Sequence, residues 1–585
     1  EEIVQSLFDR GVLRRNGTVI PTRPVGEIEI PATVQGVLAA RIDRLHPEQK
    51  ELLQTAAVIG REFSAALLRS VVGGEVDHDL DELVRAEFVR EESHSTEPRY
   101  VFKHALTQET AYGSLLIERR RALHELTAQA IERLFAGRLE DHYAELAFHY
   151  GRGADTERAI RYLLLAGRQA VDRSSSGAVD RFNEALALVE TLAPGPQRVR
   201  HEVRLQMDLG AALQATKGYA SPEVERCVVR ATELSAEIDD AHLRFWVLAG
   251  LESLHCHRGK LRAALEVSEE MLRIAKSTGA TYQLVWAWRA CGRVARFRGN
   301  PLEARRHLEE SLARYDPKRV GSYGWIRDPR IVCLTDLAYI LSELGYPDQG
   351  LEKAREAMAL ARASEIPRTF AGTLATAADV RALRGEWAET ARLAEEFAAL
   401  SEKHGLAFYA ALADVSKGRA LLGSGRVEEG IEHISRALAA LRASGGGLSI
   451  SLPFVLSVFA QAHARIGNTD RGFALLEEAF TLASASEGWL VEPTLLWVKG
   501  EVFVSTRPPR REEAEACFLR ALEIAHAREA KWAELRTATA LARLLRTQGR
   551  SEEARSRLAE IYGWFTEGFD TANLRDARAL LEELS

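Results

Sequence analysis

The stretch GRVEEGIEHISRAL at residues 425–438 contains the pattern that decides the fold. It opens with a glycine, has the small residue Gly430 five positions later, and then has Ile434 and Leu438 at intervals of four. Because an α-helix turns once every 3.6 residues, these positions share one face of a helix. The stretch therefore predicts a helix with one apolar side, and its glutamates predict a solvent-facing side.

The same pattern recurs along the chain at a nearly constant interval. Successive openers are 40, 46, 40, 40, 42, 42 and 40 residues apart, namely Gly259, Gly299, Gly345, Gly385, Gly425, Gly467, Pro509 and Gly549. Five positions after each opener stands a small residue: Ala264, Ala304, Gly350, Thr390, Gly430, Gly472, Ala514 and Ala554. A helix pair cannot bury its apolar face alone, so such repeats stack into a solenoid. We predict regular tetratricopeptide-like (TPR-like) repeats of about 40 residues over 259–585, and less regular helical repeats over 136–258.

The first 135 residues have a different pattern. Residues 1–10 are predicted to be helical, and Pro21, Pro24 and Pro31 indicate a linker. Four short helices are predicted near 33–45, 47–59, 64–72 and 77–87, followed by a strand pair at 88–91 and 100–102. This order predicts a winged-helix-like domain over 31–135. The expected fold class is mainly α: a winged-helix-like domain followed by a TPR-like α-solenoid.

Composition excludes several classes of partner. The 585 residues contain 84 acidic and 77 basic side chains, so no large basic field is available to attract nucleic acid. The predicted helix before the wing is acidic, which also disfavours a winged-helix transcriptional regulator. No apolar stretch approaches the roughly 18–20 residues of a membrane helix. Five dispersed cysteines favour reduced thiols and a cytoplasmic location, and the start without methionine suggests a chain entered within a domain.

Several segments resemble one family of bacterial signalling proteins. They are IPATVQGVLAARIDRL (30–45), AVIGREF (57–63), FKHALTQE (102–109), GYPDQ (345–349) and YGWFTEGFDT (562–571). Together they resemble the part that follows the nucleotide-binding core in proteins joining a class III adenylate or guanylate cyclase, a STAND-type AAA-like ATPase and TPR repeats. The resemblance implies that residues 1–30 are the end of the ATPase lid and a linker, and that the ATPase, and a cyclase where one is present, lie upstream.

The resemblance also implies what this chain contains and lacks. The P-loop pattern G-x-x-x-x-G-K-[ST] does not occur in it, so we expect no catalytic residues and no cofactor here, with ATP or ADP bound by the upstream ATPase domain. In related STAND ATPases a winged-helix histidine contacts the diphosphate of ADP. His104 is similar in position to that histidine, which makes it the candidate nucleotide-sensing residue; capping of the next helix is the alternative.

Two other clusters have simpler explanations. The basic run Arg119, Arg120 and Arg121 lies on a predicted helix between acidic residues, where such runs are usually solvated or paired. His255 and His257 flank Cys256, but one helix would direct the three side chains to different faces, so no metal site is predicted.

Three functions remain open. The chain is predicted to be the regulatory arm of a nucleotide-switched ATPase, binding a protein partner or small ligand in the solenoid groove and acting on the upstream domain in cis. The alternatives are a free-standing TPR interaction scaffold and a winged-helix transcriptional regulator.

Overall fold

The computed structural model describes residues 13–16, 18–21, 34–92, 98–172, 177–318, 328–443, 450–486 and 489–585. The predicted helix at 1–10 lies outside these residues. No helix in the described ranges is long and apolar enough to cross a membrane. The chain forms two compact units, one comprising the described residues of 1–166 and 184–192, the other those of 167–183 and 193–585.

The first unit contains short helices and a small sheet. Its helices are α1 (Val34–Ile42), α2 (Pro47–Ile59), α3 (Ala65–Val72), α4 (Asp77–Arg85), α5 (Ala105–Gly113), α6 (Ile117–Leu134) and α7 (Tyr143–Arg152), with a 3₁₀ turn at Leu139–His142. Strands β3 (Glu62–Ser64), β4 (Val89–Glu92) and β5 (Arg99–Phe102) form an antiparallel sheet in the order β3-β5-β4. Phe63 stacks on Tyr100 at a centroid distance of 5.9 Å, which fixes β3 against β5.

The four helices and the strand pair lie close to the predicted positions, but two features were not anticipated. Strands β1 (Leu13–Asn16) and β2 (Thr18–Pro21) pair where only a linker was expected. The dipeptide Asn-Gly at 16–17 is a sequence signal for a hairpin, and it lies among prolines that indicate a linker. The three-residue strand β3 was also missed, because it is too short to show an alternating pattern.

The first unit extends past residue 135, where the sequence placed a domain boundary. The reason is a buried contact between α6 and α7. His124 and His149, each 1% exposed, meet with their Nδ1 atoms 2.9 Å apart. Burial lowers the pKa of His124 to about 4 and that of His149 to about 3, so both rings are neutral at pH 7.

Helices α8 (Thr156–Asp172) and α9 (Ala178–Glu190) each contribute residues to both units. The second unit is then a continuous array of helix pairs. Its helices are α10 (Pro196–Lys217), α11 (Pro222–Ser235), α12 (Ala241–His257), α13 (Leu261–Thr278), α14 (Thr281–Phe297), α15 (Pro301–Ala313), α16 (Pro329–Glu343), α17 (Pro347–Ala363), α18 (Pro367–Arg384), α19 (Trp387–Lys403), α20 (Ala407–Gly423), α21 (Val427–Ala443), α22 (Leu452–Arg465), α23 (Thr469–Ala485), α24 (Glu492–Ser505), α25 (Arg511–Ala527), α26 (Lys531–Thr547), α27 (Ser551–Tyr562) and α28 (Ala572–Glu583). A 3₁₀ turn at Trp489–Val491 precedes α24. The predicted TPR-like α-solenoid is confirmed by this arrangement.

The glycine openers end the first helix of each pair. All seven have positive φ, between 71° and 92°, in the left-handed region that glycine enters without strain. The residue after each glycine donates its backbone N–H to the carbonyl five residues earlier, over 2.8–3.0 Å. Each glycine therefore closes one helix and directs the chain into the next, as its position in the sequence predicts.

The small residues of the repeat lie where the two helices of a pair approach closely. Gly430 on α21 and Gly418 on α20 oppose each other: a Cβ atom added to either would come within 3.0 Å of the other's carbonyl oxygen. Ala264, Ala304, Ala514 and Ala554 occupy the equivalent position in their own pairs and are fully buried.

The array winds tightly enough for successive turns to touch. The Tyr219 hydroxyl lies 2.8 Å from the Tyr409 hydroxyl, 190 residues away. Arg384, 3% exposed, reaches across a similar separation to the Asp570 carboxylate at 2.9 Å. Pairs four or five repeats apart therefore stack on one another, which closes the inner face of the solenoid over part of its length.

Candidate ligand cavity in the helical array

A cavity of about 310 Å³ lies on the inner face of the second unit. Its wall comes mainly from the first helices of five successive pairs, α10, α12, α14, α16 and α18. We call it the arginine cavity, because its charged lining consists of six arginines and three carboxylates: Arg168, Arg204, Arg289, Arg293, Arg296 and Arg368 with Asp208, Glu252 and Asp336.

A buried ion pair between Arg293 and Glu252 forms part of the cavity wall. Arg293 donates from Nε to Glu252 Oε1 over 3.2 Å and from Nη2 to Glu252 Oε2. Glu252 is 1% exposed and Arg293 is 8% exposed. Although burial opposes its charge, Glu252 raises the pKa of Arg293, so the guanidinium stays charged. This pair is satisfied internally and serves to position α12 against α14.

The carboxylate of Asp336 is shared between two arginines. Arg289 Nη2 lies 3.2 Å from Oδ2 and Arg296 Nη1 lies 3.4 Å from Oδ1. One negative charge therefore faces two positive charges. Within the described part of the chain, the buried Nε atoms of Arg289 and Arg296 have no hydrogen-bond partner. Both atoms are enclosed by the surrounding protein.

The opposite wall is apolar and aromatic. Trp246 and Trp286 meet edge to face at a centroid distance of 6.1 Å, with Met207 and Met271 beside them in the lining. The Trp286 indole Nε1 is buried and, among the described residues, has no hydrogen-bond partner. The cavity thus combines an apolar surface with a small number of charged side chains, as is usual in small-molecule sites.

An aromatic contact between turns covers one end of the cavity. Tyr219 stacks on His257 at a centroid distance of 4.3 Å and touches Tyr409 through its hydroxyl. Burial, together with Arg293, lowers the pKa of His257 to about 3, so the ring adds no charge at pH 7. Arg368 Nη1 bonds the Ala211 carbonyl at 3.1 Å and ties α18 to α10 at the same place.

A second cavity, of about 320 Å³, lies further along the inner face. Arg536 bonds Thr494 Oγ1 at 2.9 Å, and its guanidinium lies 4.1 Å from the centre of the Trp497 ring. Burial lowers the pKa of Arg536, while the Glu343 carboxylate opposes that shift. Burial also raises the pKa of Glu501 in the same wall.

The structure places His104 in the first unit, at the N-cap of α5. Its backbone is extended (φ −132°, ψ 140°), and its carbonyl accepts a hydrogen bond from Thr107 N at 3.1 Å. The neighbouring Lys103 pairs with Glu87 at 2.9 Å. The His104 side chain makes no capping hydrogen bond to α5 within the described residues, so the capping alternative has no support from this geometry.

The two weaker clusters are engaged in local contacts. Arg119 pairs with Glu51, and Arg120 bonds the Leu115 carbonyl at 3.0 Å. Cys256 Sγ donates to Glu252 Oε1 at 3.1 Å, while His257 points toward Tyr219. No cluster of three or more His, Cys, Asp or Glu side chains suited to a metal ion occurs in the described ranges.

The sequence predicted a protein partner or small ligand in the solenoid groove without indicating the residues of the cavity. A signal for them exists in the sequence. Arg168 and Asp208 are 40 residues apart, Arg296 and Asp336 are 40 apart, and Glu252 and Arg293 are 41 apart. Opposite charges separated by one repeat length occupy neighbouring first helices, and this spacing identifies pairs on the inner face.

Comparison with known proteins finds one similar sequence but assigns the chain to no family. No protein-family model matches the chain. An uncharacterised protein of Rhizobium meliloti (strain 1021) is 26% identical over 208 residues, which cover 34% of this chain. The chain spans 20% of the length of that protein.

Solved structures resembling the chain include helical-repeat proteins. The APC/C hetero-tetramer Cut9-Hcn1 has a TM-score of 0.48 and 13% identity, with 89% of each chain covered. A Rap protein complexed with competence and sporulation factor has a TM-score of 0.46 and 12% identity, covering 66% of this chain and 99% of the Rap chain. A STAND protein with a TPR sensor, PH0952 from Pyrococcus horikoshii, has a TM-score of 0.27 and 12% identity, covering 95% and 68%. At these scores the fold assignment rests on the repeated helix pairs of the chain itself.

Proposed function

We propose that the chain is the regulatory, sensing part of a nucleotide-switched signalling protein. Its helical array binds a protein partner or small ligand on the inner face, and the binding state is passed to an ATPase domain in cis. The observation that carries the proposal is the arginine cavity, whose wall is drawn from five successive helix pairs.

A ligand in such a cavity contacts several repeats at once. Its affinity therefore depends on how those repeats are placed relative to one another. A ligand shifts a conformational equilibrium only through different affinity for the two states. Contacts shared among five helix pairs supply a basis for that difference, because small rotations between pairs alter the cavity.

The first unit contributes the coupling part of the proposal. Helices followed by the sheet β3-β5-β4 are typical of winged-helix domains, and this topology supports that assignment. We propose that His104, at the start of α5, contacts the diphosphate of ADP held by the ATPase domain, as the family resemblance implies.

The test uses the full-length gene product. Its bound nucleotide is extracted after purification and quantified by ion-exchange chromatography. We expect ADP to co-purify with the wild-type protein and to be lost from His104→Ala. The matched control is His78→Ala, an exposed histidine on α4 of the same unit, which should retain ADP.

A second variant tests the array. Deletion of the repeats should leave nucleotide binding in place and remove its response to the natural stimulus. The proposed nucleotide switch is wrong if no nucleotide co-purifies with the full-length protein, or if His104→Ala retains ADP as His78→Ala does. The chain would then be better described as a TPR interaction scaffold.

A further inference from the structure

We infer that the last turn of the solenoid is a ring that opens and closes at one polar contact, which we call the clasp. The clasp joins four C-terminal residues to four residues of α17 and α18: Glu567, Gly568, Asp570 and Asn573 on one side, Asp348, Gln349, Leu383 and Arg384 on the other. Two segments quoted from the sequence, 345–349 and 562–571, meet here. The inference goes beyond the proposed function, because it concerns the second unit alone and involves no nucleotide.

The second cavity is the lumen of this ring. Its wall comes mainly from α18, α20, α22, α24, α26 and α28. The ring closes where α28 meets α18. Asn573 Nδ2 lies 3.4 Å from the Leu383 carbonyl oxygen, and a Cβ atom added to Gly385 would overlap the Cβ of Ala572. The other boundaries of the wall join consecutive repeats, whereas this boundary joins residues 190 apart in the chain.

Glu567 binds the N-terminal end of α17. Its Oε1 accepts hydrogen bonds from the backbone N–H groups of Asp348 and Gln349 at 2.9 and 3.1 Å, and its Oε2 accepts from the Gln349 side chain at 2.9 Å. The first N–H groups of a helix have no partner within the helix, so these two lose their acceptor when Glu567 withdraws. In the opposite direction, Asp348 Oδ2 accepts a hydrogen bond from Gly568 N at 2.9 Å.

Arg384 forms the charged half of the clasp. Its guanidinium is 3% exposed and donates to the Asp570 carboxylate at 2.9–3.0 Å. It also donates to Glu386 at 2.6 Å and to Asp348 at 2.5 Å, both on its own side of the clasp. Opening therefore separates Arg384 from Asp570 but leaves it with two carboxylate partners. The buried guanidinium stays paired in the open state, which avoids the large cost of an unpaired buried charge.

The clasp is the weak boundary of the ring. Asp570 has a side chain that is 73% exposed, so water replaces Arg384 as its partner on opening. Apolar contact across the clasp includes Trp564 against Tyr346, and Trp564 is itself 37% exposed. By contrast, Leu574 and the residues that follow it on the buried face of α28 pack in the core of the C-terminal repeats. A polar interface of this kind permits relative motion of the two parts that it joins.

Opening changes the second cavity. Three of its lining residues, Ala572, Asn573 and Asp576, belong to α28 and move away from α18 with the C-terminal segment. The cavity wall is therefore complete only when the clasp is closed. A molecule that contacts both α18 and α28 accordingly favours the closed state, and the clasp links occupancy of the cavity to the position of the C-terminal helices.

The test is hydrogen exchange of the whole chain, read at single residues by mass spectrometry with electron-transfer fragmentation. The reporters are the backbone amides of Asp348, Gln349 and Gly568, which are bonded across the clasp. The perturbation is Asp570→Asn, because Asp570 bonds Arg384 and none of the three reporters. If the clasp opens as one unit, all three amides should exchange faster by the same factor, about three- to tenfold. Amides of α26 and α27 should keep the wild-type rate.

Glu560→Gln is the matched control, because Glu560 is an exposed carboxylate on α27 shortly before the clasp. It should leave the three reporters unchanged. Unchanged exchange at Asp348 and Gln349 in Asp570→Asn would overturn the inference, because the contacts would then act independently. Equal acceleration throughout α26, α27 and α28 would also overturn it, because these helices would unfold instead of moving together. Neither result depends on whether the full-length protein binds nucleotide.

Discussion

Replacement of Gly430 by alanine tests the packing of the helix pairs. Built onto the backbone, the new Cβ lies 2.7 Å from Leu422 Cγ and 3.0 Å from the Gly418 carbonyl oxygen. Leu422 is buried and the carbonyl belongs to a helix backbone, so neither moves freely. Overpacking of this kind costs about 1–3 kcal/mol. Alanine recovers about 1 kcal/mol of helix propensity, so the net loss of stability is centred on about 1 kcal/mol and reaches at most about 2 kcal/mol.

The control is the same substitution at Gly372 in the middle of α18. There the nearest atom to a new Cβ is Tyr409 Cε1 at 3.8 Å, an ordinary contact. Gly372→Ala should therefore stabilise the array by about 0.5–1 kcal/mol. The two substitutions are predicted to change the stability of the array in opposite directions. A general effect of replacing glycine by alanine would change it in the same direction in both.

Hydrogen exchange is the appropriate assay, because long repeat arrays do not unfold in one step. Amides of α20 and α21 in Gly430→Ala should exchange faster than in the wild type, by about 5-fold for a loss of about 1 kcal/mol and by at most about 30-fold for a loss of about 2 kcal/mol. Urea unfolding followed by circular dichroism gives the accompanying change in midpoint. Unchanged or slower exchange in Gly430→Ala would refute the close approach of the two helices at this register.

Three further predictions concern stability and catalysis. Arg384→Ala leaves Asp570 and its neighbouring carboxylates without their shared partner. It should lower the free energy of local opening of α18 and α28 by about 1–3 kcal/mol, measured by hydrogen exchange of their amides; unchanged exchange would mean that the turn-to-turn contact contributes nothing. His124 and His149 have pKa values below 6.5 in the folded state, so the unfolded state binds more protons and stability falls as pH drops from about 6.5 toward 4. His149→Gln should flatten that pH dependence, measured by thermal melting across the interval, and His78→Gln should not. The purified chain should neither hydrolyse ATP nor form cyclic nucleotide, and turnover removed by a point change within the chain would contradict this.

The sequence was sufficient for the parts of the fold that repeat. The residue that ends each helix must adopt a positive φ, and glycine does so without strain. Gly259 and Gly549 therefore mark the ends of their helices through a property of the local backbone alone. The apolar positions at intervals of four are equally local. The hairpin of β1 and β2 and the short strand β3 carried weaker signals, because a few residues of strand show too little alternation to distinguish them from loops.

The cavity depended on information that no single segment contains. In its own segment Glu252 has no feature that distinguishes it from other helical glutamates. Its role depends on contact with Arg293, which lies 41 residues later in the chain. That placement requires the superhelical geometry as well as the repeat. The closing contact between Tyr219 and Tyr409 requires a full turn of the solenoid, 190 residues, and no local pattern encodes such a separation.

The buried ion pairs of the inner face have a structural role. An ion pair that spans one repeat, such as Glu252 with Arg293, forms only when neighbouring helices stack in the correct register. Buried pairs add little stability over apolar residues of similar size, so fixing the register is the structural role open to them. Asp336 extends this arrangement, because it pairs with both Arg289 and Arg296 and so joins α14 to α16. Register therefore accounts for the paired charges of the inner face.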